Sequence, residues 1–90
     1  VPRIASFEGI VIMLCFGDHP PPHVHVRVGR PGHRGVAEAR FAIDTGEQID
    51  GVLPAVKATR VARWCRRHSQ TLRADWERAQ RDRHPIGRYD

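Results

Sequence analysis

Apolar and polar residues alternate in short runs through the first half of the chain and recur at three- and four-residue steps through the second. The first period belongs to strands and the second to a helix. From Ile10 to Phe16 all seven residues are apolar, with Ile10, Ile12, Leu14 and Phe16 on one face and Val11, Met13 and Cys15 on the other. That predicts a central strand covered on both sides. From His23 to Val28 the faces divide, with Val24, Val26 and Val28 opposite His23, His25 and Arg27. From Val36 to Ile43, Ala37, Ala39, Phe41 and Ile43 make the apolar face, and Glu38 and Arg40 point the other way. If these two strands form a hairpin, apolar face must meet apolar face, because a one-residue slip inverts every side chain. His23, His25, Arg27, Glu38 and Arg40 then share one polar face. Asp44-Thr45-Gly46 reads as a turn with Gly46 at positive φ, followed by a short fourth strand over about Glu47 to Val52. Val1 to Ser6 reads as a lead-in at the sheet edge, and Glu8-Gly9 as a turn or bulge.

Pro54 opens the helical part, at a position where its missing N–H costs nothing. Ala58, Val61/Ala62, Cys65, Ser69, Leu72, Trp76 and Ala79 form one stripe without a phase break. The stripe predicts one long helix to about Arg81, with a kink near Ser69 as the alternative. Pro85 and Gly87 end regular structure. The expected fold is α+β: a small antiparallel sheet of three to four strands packed against one long C-terminal helix. Ninety residues make one domain, with the sheet over 7–53, the helix over 54–81 and an irregular tail over 82–90.

A chain of this size buries only roughly 60–65% of its unfolded surface, which leaves a thin core and little room for an enclosed substrate cavity. The longest apolar run is far too short to span a membrane, and no basic n-region leads into an apolar h-region at the start. The expectation is therefore a cytoplasmic protein without a membrane partner. Cys15 and Cys65 both fall on apolar faces, as buried free thiols in a reducing compartment do.

Charge changes the picture more than size does. Residues 1–53 carry five Arg against six Asp/Glu, a net of −1, whereas residues 54–90 carry ten Lys/Arg against four Asp/Glu, a net of +6. The asymmetry points the helical half at an acidic partner or a polyanion. Fourteen of the fifteen bases are Arg, a bias that a GC-rich genome produces by itself, so only the clustering is informative. Arg60, Arg63 and Arg67 make a ridge opposite the apolar stripe, with Lys57 and Trp64 at its margins. Guanidinium forks grip phosphate or carboxylate bidentately, and Trp64 could stack on a base or pack on the sheet. A solvated helix face would look the same in sequence.

The other concentration of chemistry is GDHPPPHVHV, Gly17 to Val26. Three consecutive prolines fix φ and remove donors, so the segment is a stiff extended lead-in to the His strand. A metal site would take His23 and His25 at about 2.0–2.1 Å from zinc and need a third ligand from His19, Asp18, Glu38 or His33. Arg27 and Arg40 on the same face would repel a cation, so no metal or other cofactor is expected. A metal-free phosphodiesterase could use one imidazole as base and the other as acid, with Arg27 and Arg40 on the phosphate. The plainer reading has one imidazole donating to a backbone carbonyl of the proline segment, with His23, directly after Pro22, as that residue. There is no Gly-rich phosphate loop with Lys and no CxxC.

FEGIV (Phe7 to Val11), DHPPPHVHV (Asp18 to Val26), DTGEQIDGVLP (Asp44 to Pro54) and a helix carrying Trp64, His68, Leu72 and Trp76 occur here in that order. This arrangement resembles a family of short bacterial proteins named as a domain of unknown function (number forty-one sixty), with Pro-Pro-His-x-His-Val as its most specific piece. VGRPGHRG, Val28 to Gly35, departs from the family's usual shorter turn and looks like a local extension. The resemblance implies a protein encoded beside another small protein, in pairs that look like toxin–antitoxin modules. It carries over no catalytic residues. The favoured expectation is a binding module contacting the neighbouring gene's product, with RNA or DNA as a further candidate, through Lys57, Arg60, Arg63, Trp64 and Arg67. The alternative is a small RNase or phosphodiesterase built on His23 and His25 with Arg27 and Arg40, with or without a metal.

Overall fold

Five strands in chain order make one antiparallel meander, β1-β2-β3-β4-β5, in a computed structural model that describes residues 3–14, 20–29 and 35–81. The strands are β1 (Arg3–Phe7), β2 (Ile10–Met13), β3 (His23–Val28), β4 (Ala37–Ala42) and β5 (Gln48–Gly51), and the helices α1 (Ala55–Arg67) and α2 (Ser69–Arg81) follow. The expected α+β architecture is present, with two corrections. The sheet gains a fifth strand because the N-terminal lead-in pairs with β2 along its length. The single long helix is two helices, so the kinked alternative describes the chain. Cys15, Phe16, Asp18, His19, most of the Val28 to Gly35 extension and the tail 82–90 lie outside the described residues.

The register across β3 and β4 matches core face to core face: Val24 faces Phe41, Val26 faces Ala39, His25 faces Arg40 and Arg27 faces Glu38. One side of the sheet therefore carries Ile10, Ile12, Val24, Val26, Ala39 and Phe41, and both helices cover it through Val61, Cys65, Leu72, Trp76 and Ala79. The expectation that the Ile10 strand is covered on both sides is not met. Ile10 and Ile12 are buried, but Val11 and Met13 are half-buried, on the face away from the helices. On that outer face Arg3, Met13, His25, Arg40 and Asp50 form one cross-strand row, and Ser6, Val11, Arg27 and Glu38 the next.

Two turns fix how the sheet meets α1. Phe7 pairs with Ile10, so Glu8 and Gly9 form a two-residue hairpin loop, with φ of 52° and 76°. Positive φ at both central residues suits the strand twist, but a Glu there is uncommon. The β4–β5 turn closes with the Gly46 amide donating to Ala42 O at 2.9 Å. Gly46 has φ 74°, and a Cβ there would lie 2.7 Å from Ala62 O, so the turn packs on α1 in a way only glycine permits.

Pro54 is the residue just before α1 rather than its first turn, and its carbonyl accepts from Ala58 N–H at 2.9 Å. α1 ends at His68 (φ −105°, ψ 16°), whose amide donates to Trp64 O at 3.1 Å. Its carbonyl accepts from Leu72 at 2.8 Å and starts α2. One residue outside helical geometry thus bends the chain while the apolar stripe keeps its phase. α2 also buries Asp75, whose Oδ1 accepts from Arg78 Nη2 at 2.6 Å. Burial pushes the Cys65 thiol up to about 12, so it is an inert core group. No helix among the described residues is long and apolar enough to cross a membrane.

Candidate functional site

The outer sheet face brings the histidine constellation together but divides it. His23 and His25 stand with ring centroids 5.1 Å apart. His23 is only 2% exposed, and its Nδ1 lies 2.7 Å from Pro21 O, the contact expected of an imidazole that holds the proline segment. His25 is half-buried and lines a shallow concavity with Met13, Glu38, Arg40 and Asp50. Arg40 is not open to a phosphate there, because its Nε donates to Asp50 Oδ2 at 2.9 Å and its Nη2 reaches the same oxygen. That guanidinium holds the Asp50 carboxyl below the usual carboxylate range. Arg27 lines a different depression, with Arg3, Val11 and Lys57. A two-imidazole acid/base site needs both rings and its arginines on one substrate-sized opening. Here one ring is sealed, Arg40 is held by Asp50, and Arg27 lines a separate depression. Among the described residues no group of three His, Cys, Asp or Glu side chains is placed to hold a metal, and His19 and His33 lie outside them.

The α1 face is built differently. α1 carries Lys57, Arg60, Arg63, Arg66 and Arg67 and no Asp or Glu. Val56, Arg60, Arg63 and Arg67 follow one another at four-, three- and four-residue steps, and with Phe7 and Trp64 they line an open groove. The floor is aromatic: Trp64 stacks with Phe7 at 6.3 Å between centroids and meets His68 at 4.9 Å. Two rings thus crowd the indole, so Trp64 is half-buried floor and less open to base stacking than its position allowed. Partial burial and the Arg67 charge depress the His68 pKa.

The ridge arginines are not equivalent. Arg60 Nη1 donates to both Glu8 carboxylate oxygens, at 2.6 and 2.8 Å, and Lys57 Nζ donates to Glu8 O. These two bases clamp the β1–β2 turn onto α1. Arg63 and Arg67 are exposed and have no carboxylate partner among the described residues. Glu8, Phe7 and His68 were not among the residues that sequence pointed to. All three nevertheless fall in the stretches that carry the family resemblance, FEGIV and the helical stretch carrying Trp64 and His68.

The sequence model of the family described as Domain of unknown function (DUF4160) matches residues 9–77. The chain belongs to this family. The match takes in the His strand, the β4–β5 turn, all of α1 and the first two turns of α2, so both sites just described lie within it or at its edge. No curated protein and no solved structure matches the chain.

Proposed function

We propose that this DUF4160 protein is a cytoplasmic binding module, one member of a toxin–antitoxin-like pair, and that it docks the neighbouring gene's product on the cationic face of α1. The observation that supports this most is the pair of exposed guanidinium forks at Arg63 and Arg67, one helical turn apart on a helix without a single acid. Lys57 and Arg60 precede them on the same helix and are tied to Glu8, so the two forks are the bases of the ridge left to a partner. RNA or DNA would bind by the same forks, so the face is one site whichever anion it meets. The RNase or phosphodiesterase reading draws less support, since His23 is sealed and Arg40 is occupied by Asp50.

Co-expression with the neighbouring gene tests the proposal. The two proteins are expected to co-elute in size-exclusion chromatography. The Arg63→Glu/Arg67→Glu double variant is expected to elute alone with an unchanged melting temperature. Co-elution of that variant would remove α1 from the interface.

A further inference from the structure

We infer that the α1 groove takes an acidic, partly apolar polypeptide segment, carboxylates on Arg63 and Arg67 and an apolar side chain against Val56, Phe7 and Trp64; this rests on the binding-module reading above. Three observations select this occupant over a nucleic acid strand. The first is that the ridge already holds a carboxylate: Glu8 sits on Arg60 with both oxygens on one Nη, at 2.6 and 2.8 Å. Arg63 and Arg67 continue the same row with the same fork chemistry and no acid of their own among the described residues. They lie four residues apart, about 6 Å along the axis. Carboxylates one turn apart on a helix, or two residues apart on a strand, have that spacing.

The second observation is the sign of the charge at the Arg60 end. The Glu8 side chain keeps 45% of its surface exposed there. A continuous polyanion laid along the ridge would run its next phosphate into that carboxylate, and like charges brought together at a binding face disfavour the wrong partner. A peptide with discrete acids can place a neutral residue opposite Glu8.

The third is the floor. A single strand of nucleic acid gains its affinity from bases stacked on open aromatic faces as well as from phosphate contacts. Trp64 is half-buried, with the Phe7 ring at 6.3 Å and the His68 ring at 4.9 Å between centroids. What the groove offers is apolar edge, with Val56 65% exposed beside it. An aliphatic side chain fits that edge, whereas a nucleobase meets an indole already half-buried against two protein rings.

The test uses the full chain and three fluorescein-labelled probes: a peptide with Glu at i and i+4 around a Leu, the same peptide with Gln for Glu, and a single-stranded oligonucleotide of matched charge. Fluorescence anisotropy at physiological salt should give measurable binding of the Glu peptide. The Gln peptide and the oligonucleotide should each bind at least about tenfold more weakly, the scale of one charge-assisted contact. Arg63→Gln/Arg67→Gln, exposed changes that leave the fold intact, should abolish the preference for the Glu peptide. Tighter binding of the oligonucleotide, or equal binding of the Glu and Gln peptides, would overturn the inference. If either occurs while the neighbouring gene's product still co-elutes through Arg63 and Arg67, the inference falls and the binding-module proposal stands.

Discussion

Glu8 and Arg60, 52 residues apart in the chain, meet in a bidentate ion pair that joins the first hairpin turn to the middle of α1. The pair explains why a glutamate sits at a φ of 52°, where Asn or Gly is the usual residue. Its side chain reaches α1 from that position, and Lys57 takes its carbonyl. Both partners are about half exposed, so the energetic return is small. Glu8→Gln should cost under about 1 kcal/mol in chemical denaturation. A loss of several kcal/mol would mean that the pair carries far more of the turn's attachment to α1 than so exposed a contact should.

Trp76 is part of the buried core cluster, 7% exposed, with Leu72 and Ala79 on either side along the α2 stripe. Truncating it removes a large apolar surface and leaves a cavity in a core only one layer deep. Trp76→Ala should cost about 3–5 kcal/mol, close to the whole stability of a domain this small. The check is the urea midpoint. An unchanged midpoint would show that α2 does not depend on this contact.

His23 and His25 should separate by stability. His23→Ala deletes a buried ring and the hydrogen bond to Pro21 O, two terms of the same sign, for a loss of about 1–3 kcal/mol from the bond alone. His25→Ala removes a half-buried ring and should cost less. Thermal melts of the two variants side by side give the comparison. The reverse order would remove His23 from its role of holding the proline segment.

Alternation made β3, β4 and their mutual register legible, because Val24, Val26, Ala39 and Phe41 never break phase. β1 was not legible for the opposite reason. A register shift between Arg3 and Ala5 puts Ile4 and Ala5 both in the core, so the two-residue period fails where the strand begins. The break at His68 escaped periodicity because neither Pro nor Gly marks it and the stripe continues in phase on both sides. The ridge itself could be read from the spacing of Arg60, Arg63 and Arg67. That Arg60 is spoken for while Arg63 and Arg67 are not depends on Glu8, and no local pattern connects residues so far apart. The same holds for Arg40, whose partner Asp50 arrives with β5.

Arg63 and Arg67 are the proposed anion-gripping residues of the docking face, and calorimetric titration of the neighbouring gene's product into this protein is the decisive measurement. The wild-type chain should bind, and Arg63→Glu/Arg67→Glu should weaken binding at least about a hundredfold, since two charge-assisted contacts are replaced by two like-charge repulsions. Control changes at Arg73 and Glu77 on α2, an exposed pair 3.5 Å apart, should leave the affinity unchanged. Equal affinity of the wild-type and the Arg63→Glu/Arg67→Glu protein would show that the partner does not bind through these two guanidinium groups.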